Sequence, residues 1–390
     1  MPTNISLEQF HQWRTPHRGT ANPEVMTNDV WVWIIGEKRD EEEYLSTYLS
    51  AYQVNELFQG PSSMDAGPCW CFSRFGQTKT ELPDGRTIFV AGEHEDFYDP
   101  DFFIYNDVVV AEVSGKISIF GYPTDLFPPT DFHTATLVGD SLILIGNLSY
   151  PENYKPGETQ VLRLELDSWR ISPIETSGTP PGWIHRHKAL LSDTGKEILV
   201  TLGKIDRGNG KALVENIDDW SLDLQTFQWT RLTKRNWARF EVFRKDRKRH
   251  HLFDIGLYFF HKKMELKCGS KEAENTELGE YYQKMRTKVL EDERELKKEL
   301  GAIPDLTLFE RLYAPPVAAE IIGDDEGEYG VHRIRIGDVV VRYVQDSYSI
   351  QVTVEGELPE SSLEQLKKDI TDKLATLERT KIMCRTITSE

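Results

Sequence analysis

The sequence predicts a mainly β chain with an added helical segment and a small α+β domain at its C-terminal end. Three observations carry this. A strand–turn–strand unit recurs in the first part of the chain, with glycines Gly92, Gly146 and Gly203 at spacings of 54 and 57 residues. The 18 Phe, 15 Tyr and 9 Trp favour packed β-structure over disorder. After Trp237 the alternating pattern gives way to helical periodicity, then to short strands and one more helix.

The 390 residues divide by composition into four stretches: 1–65, 66–237, 238–310 and 311–390. The first is a mixed segment with a helical pattern over Glu42 to Tyr52. Asn28 to Trp33 reads there as an isolated strand. The second holds three copies of the repeat. Their first hairpins turn at Pro83-Asp84-Gly85, Gly139-Asp140 and Asp193-Thr194-Gly195, residues that tolerate the positive φ of tight turns. A second hairpin follows each glycine, so the unit is four antiparallel strands, the composition of a propeller blade. The third stretch opens with a basic island, Ala238 to His251, read as a solvated segment that neutralises the acidic surface. His251 to Phe260 reads as a further strand. A long amphipathic helix follows over Leu278 to Leu300, stopped by Gly301 and Pro304. The last stretch predicts strands around Val331 to Val344 and Ser347 to Gly356. A helix with the apolar stripe Leu363, Leu366, Ile370, Leu374 and Leu377 comes next, with Ser361 and Glu364 as a capping box, then a final strand in Lys381 to Ile387.

The repeats resemble the kelch family. The resemblance rests on the glycine after each second strand and on the third-strand openings Asn106-Asp107-Val108 and Asn216-Ile217-Asp218-Asp219-Trp220. It rests also on the closing Trp169 and Trp229, and on the proline-rich links to His133-Thr134-Ala135 and His187-Lys188-Ala189. It covers about Trp70 to Trp237. Each copy departs from the family's glycine pair by carrying one glycine: Ala91-Gly92, Ile145-Gly146, Leu202-Gly203. The resemblance implies a kelch-like β-propeller-type array, a packing role for His133 and His187, and partner binding by one loop face.

In a four-stranded meander the loop after strand two and the link after strand four emerge at the same edge. That edge gathers Glu93, His94, Glu95, Asp96, Tyr98, Asp99, Asp131, Trp183, His185 and Arg186, the candidate partner-binding residues. Three readings of the acidic loop stay open. His94, Glu95, Asp96 and Asp99 could hold a cation, although their spacing fits no dedicated motif. Aromatic and acidic residues together suit a basic partner. Or the rings pack inward and the carboxylates cap turns. No metal or cofactor is assigned.

The net charge of −18 argues against a general nucleic-acid backbone binder. Cys69, Cys71, Cys268 and Cys384 form no redox or zinc pattern and read as reduced structural thiols. No stretch has the form of a signal peptide or a membrane span, so a cytoplasmic protein without membrane or nucleic-acid partners is expected. The function expected is protein–protein interaction through the loop face, including an immunity or inhibitor role toward a basic protein. The alternative is an enzyme, a hydrolase or sugar isomerase, using His185 and loop carboxylates. No catalytic residue is assigned, since no nucleophile elbow, phosphate loop or dinucleotide fingerprint is present.

Overall fold

The computed structural model describes residues 5–36, 66–96, 99–208, 213–268, 277–314, 320–322 and 330–387, with side chains of 95, 96, 99–101, 268, 277 and 278 outside the description. The chain is mainly β, with six sheets and a few helices. It divides into two compact units, Met1–Arg235 and Asn236–Glu390.

The N-terminal unit opens with α1 (Leu7–Trp13), whose Ser6 and Gln9 form a reciprocal capping box. Strand β1 (Glu24–Val25) and α2 (Asp29–Gly36) follow. The strand expected over Asn28 to Trp33 is therefore a helix. Asn28 accepts a hydrogen bond from the Trp31 N–H at its start, and Val30, Trp31 and Ile34 share the buried face. The helical pattern over Glu42 to Tyr52 lies outside the described residues.

Three antiparallel meanders come next. The first runs β2 (Thr78–Glu81), β3 (Thr87–Val90), β6 (Asp107–Ala111) and β7 (Ile117–Gly121), with β1 on its edge. Between β3 and β6 lies a two-stranded hairpin, β4 (Glu93–Asp96) and β5 (Asp99–Ile104). The second runs β8 (Thr134–Val138), β9 (Ser141–Ile145), β10 (Val161–Glu165) and β11 (Ile171–Pro173). The third runs β14 (Lys188–Leu191), β15 (Glu197–Thr201), β18 (Trp220–Asp223) and β19 (Gln228–Arg231), with β12 (Ser177–Gly178) added parallel to β19. A small sheet joins β13 (Trp183–His185), β16 (Lys204–Asp206) and β17 (Val214–Glu215). Among the described residues no sheet closes on itself.

Side-chain alternation explains how the meanders stack. Leu142 and Leu144 of β9 pack with Ile88, Val90, Val108 and Val110 of the first sheet. Their neighbours Ile143 and Ile145 point the other way, to Ile198, Val200 and Leu222 of the third. The middle sheet is thus buried on both faces, and its β9 reads as a continuous apolar run rather than an alternating one. The first sheet's outer face, Phe89, Val109, Ile117 and Ile119, is covered by Phe10, Val30, Trp31 and Ile34 from the two helices. Each such aliphatic or aromatic side chain contributes about 1.5–3 kcal/mol on burial.

The C-terminal unit is one six-stranded sheet in the order β21 (Glu320–Ile321), β22 (Val331–Ile336), β23 (Val339–Gln345), β24 (Ser349–Glu355), β20 (Arg239–Arg244), β25 (Ile382–Thr386). Its helices are α3 (Leu252–Cys268), α4 (Glu277–Leu300), α5 (Leu306–Glu310) and α6 (Glu360–Glu378). One core joins Phe240, Val242, Val352 and Ile350 to Leu252, Val289, Leu296, Leu366 and Leu374.

Three expectations are corrected here. The strand over His251 to Phe260 is the start of α3, whose Leu252, Ile255 and Tyr258 bury one face at helical spacing. The basic island is only partly solvated: Arg239–Arg244 is a buried strand with β24 and β25 on either side. Arg244 there pairs with Asp246 and Glu378, and Arg385 pairs with Glu241, which offsets the cost of burying charge. The capping box at Ser361 and Glu364 does not form; Pro359 occupies the N-cap without a side-chain bond.

Candidate functional site

The site is built from a recurrent bend. Two residues before the first strand of each meander, the chain adopts positive φ: Gly76 at 63°, Phe132 at 48° and Arg186 at 55°. These three bends bond to one another in series. The Phe132 N–H donates to the Gly76 carbonyl (3.0 Å), and the Arg186 N–H donates to the Phe132 carbonyl (2.8 Å). Gly76 must lack a side chain, because a Cβ there would overlap the Phe132 backbone nitrogen. The Arg186 guanidinium lies 3.5 Å from the Phe132 ring centroid.

A second series runs beside it. His133 Nε2 bonds Thr78 Oγ1 (3.1 Å), and His187 Nε2 bonds Thr134 Oγ1 (2.9 Å). Each histidine thus ties the start of one meander to the first strand of the meander before it. Burial pushes both imidazoles down to about 3, so they are neutral. The glycine after each second strand makes room for the link: a Cβ on Gly203 would lie 2.7 Å from His187 Cβ and 2.8 Å from the His185 carbonyl oxygen.

The loops after the second strands close over these links. The Gly92 N–H donates to the Thr130 carbonyl (2.9 Å), and the Asn147 N–H donates to that of Ile184 (3.2 Å). Strand β13 pairs with β16, and β16 with β17, so His185, Lys204 and Glu215 stand in one cross-strand row. All loops and links named above therefore share one end of the N-terminal unit.

The candidate residues fall into two groups. Asp131 (0% exposed), His185 (1%), Trp183 and His94 are buried. They hold the face together. Asp131 Oδ1 accepts the Ser149 N–H at 2.6 Å, Trp183 Nε1 donates to the Leu148 carbonyl, and His94 Nδ1 lies 3.0 Å from the Ser73 carbonyl oxygen. Arg186 is exposed, and Glu93 is half-buried. Glu95, Asp96 and Asp99 lie on β4 and β5 with side chains outside the description, and Tyr98 lies outside the described residues.

The electrostatics are those of a partly dry acidic face. Burial pushes the Asp131 carboxyl above its ordinary range, opposed by the Ser149 N–H, a hydrogen bond with the Glu93 side chain and the charge of Arg186. The Tyr154 phenol is pushed up to about 12, first by burial and then by Asp206, Asp131, Glu152 and Glu93. His185 is pushed down to about 3 by burial and by Arg186 and Lys204. Both its ring nitrogens are buried, and neither has a hydrogen-bond partner among the described residues. Among the described residues, no group of three His, Cys, Asp or Glu side chains is arranged to hold a metal ion. No described helix is long and apolar enough to cross a membrane.

The sequence places the loops Leu148 to Tyr154 and Lys204 to Lys211 on this same face, so Tyr150 and Lys204 were within reach of sequence reasoning, which missed Glu215 and Arg18. Tyr150 Oη accepts the Ile104 N–H (2.9 Å) and its ring packs edge-on to Phe102. Arg18 reaches across from the N-terminal segment to Asn106 Oδ1 (2.8 Å) and the Ile104 carbonyl (2.7 Å). Only register could have revealed Lys204 and Glu215 beside His185; nothing local marks Arg18. Arg74 pairs with Asp107 at the start of β6, at 3.0 Å through Nη2, with its guanidinium over the face of Tyr105.

The chain matches no protein-family model, and a search of curated proteins finds no match.

Proposed function

We propose that the N-terminal unit is an array of kelch-like, propeller-type blades that binds a protein partner through its loop end. The reading of the meanders as blades is supported by the two bond series, which join successive first strands as blades join around an axis. The binding reading is carried by one observation: buried polar groups fix the loops while large side chains stay outside. Phe75 is 62% exposed and Phe102 43%, and Arg186 is exposed on its aromatic platform. Aromatic rings and arginine on a preorganised face are the residue types that anchor interfaces.

A basic partner suits the −18 net charge and the carboxylates of the loop beginning at Glu93. An inhibitor or immunity role toward a basic protein is one form such binding would take, in a cytoplasmic setting. The test is affinity capture from native extract, comparing the wild-type chain with Glu95→Lys/Asp99→Lys and with Phe102→Ala. A partner retained by the wild type and lost from both folded variants supports the proposal. Identical capture by all three contradicts it.

The enzyme reading draws on a different observation, the Glu93–Asp131 hydrogen bond on the same face as His185, whose ring nitrogens have no hydrogen-bond partner among the described residues. A carboxyl pair with one raised member has the form of an acid–base couple. It predicts hydrolase or isomerase turnover abolished by Asp131→Asn, whereas binding would decline gradually.

A further inference from the structure

At the opposite end of the N-terminal unit, the hairpin turns of the first two meanders enclose a cleft of about 450 Å3. Its apolar lining comes from Leu82, Leu137, Leu166 and Trp169. Trp169 is fixed there: its ring stacks on Phe120 at 5.5 Å, and its carbonyl accepts the Tyr122 hydroxyl at 2.8 Å. Around the rim stand Asp84, Asp140 and Asp167, with Arg86 the sole cation of the lining.

The rim charges are not equally committed. Asp84 is engaged by Arg86, whose guanidinium holds it at 2.8 Å and keeps its carboxyl below the ordinary range. Arg86 also lies 5.4 Å from the Trp169 ring centroid and reaches toward the Leu166 carbonyl. The cleft thus already accommodates a guanidinium over its tryptophan. Asp140 takes only the Ser141 hydroxyl, and neither it nor Asp167 has an ion-pair partner among the described residues. Three carboxylates against one guanidinium leave the lining with a net charge of −2.

We propose that this cleft receives an arginine or lysine side chain of a basic peptide segment. The aliphatic stem lies along Leu82, Leu137 and Leu166, and the cation meets Asp140 and Asp167. A volume of this size matches an ordinary ligand cleft. Charge complementarity with an apolar floor selects a long cationic side chain over an acidic or purely apolar one. The site is separate from the loop end, so it stands or falls independently of the function proposed there.

Fluorescence polarisation of labelled penta-arginine amide, at physiological salt, tests it on the full chain. Because any polycation is attracted to an acidic protein, the comparison is between two variants of equal charge loss. Asp140→Asn/Asp167→Asn removes the free rim carboxylates; Asp125→Asn/Asp193→Asn removes two exposed carboxylates elsewhere. The expected result is saturable binding, weakened about tenfold by the first pair and less than about twofold by the second. Leu137→Gln, with carboxylates intact, should weaken it several-fold. Equal weakening by both pairs, or no saturable binding, overturns the proposal.

Discussion

The two ends of the N-terminal unit use glycine for different reasons. At the turn end, Gly115, Gly139 and Gly195 have positive φ and open space where a Cβ would stand. They are needed for backbone conformation alone. At the loop end, Gly76, Gly92, Gly146 and Gly203 combine positive φ with atoms of a neighbouring segment where that Cβ would be. They are needed for conformation and for space. At the turn end successive meanders meet through side chains, as where Arg86 reaches the Leu166 carbonyl, whereas at the loop end they are locked together backbone to backbone. A face made from several segments holds exposed side chains rigidly, which is what a recognition surface requires.

The largest effect expected from this contrast is at Gly146. A Cβ there would overlap the Ile184 carbonyl oxygen and lie 2.9 Å from His187 Cε1. Backbone strain and overpacking together should cost about 3 kcal/mol or prevent folding. Gly139→Ala, with strain alone, should cost about 1 kcal/mol. Urea unfolding of the two variants measures the difference; equal losses would dissolve the contrast.

Next comes pH. His133, His185 and His187 are neutral in the folded protein, pushed from 6.5 down to about 3 by burial. Below pH 6.5 the unfolded chain binds protons that the folded chain refuses, so stability is full above 6.5 and falls as pH drops toward 3. His133→Gln/His187→Gln, which retains a polar group facing Thr78 and Thr134, should flatten that fall. Thermal unfolding at about pH 7 and about pH 5 reads it out. An unchanged slope would mean that these imidazoles are protonated or exposed.

A smaller gain is expected at Leu202, a half-exposed non-glycine residue held at φ 58° beside Gly203. Leu202→Gly should stabilise the chain by about 0.5–1 kcal/mol by removing left-handed strain. A loss of stability would indicate that the leucine's packing outweighs its strain.

The three meanders were legible because tight turns and side-chain alternation are local signals, visible at Gly139-Asp140 and along β10. Helices α2 and α3 were misread because short apolar runs serve either periodicity; burial of Val30, Trp31 and Ile34 decides it only in three dimensions. The loop-end position of Asp131, Trp183, His185 and Arg186 followed from meander topology, but their separation into buried and exposed did not. Asp131 and His185 occupy interior positions that their polarity disguises, because their neighbours come from other loops, Ser149 and Glu93 at Asp131 and Lys204 at His185. The bend shared by Gly76, Phe132 and Arg186 carried a signal in its first copy only, since the other two copies place a side chain at positive φ.

Backbone hydrogen exchange on the free protein tests the loop-end account most directly. The amides of Phe132, Arg186 and Gly92, each bonded to a carbonyl of another repeat or link, should exchange with the slowest class, alongside those of β9. The Gly115 and Gly195 amides, bonded only within their own turns, should exchange far faster. Fast exchange at Phe132 and Arg186 would mean that the repeats are not locked at that end, and would contradict the account.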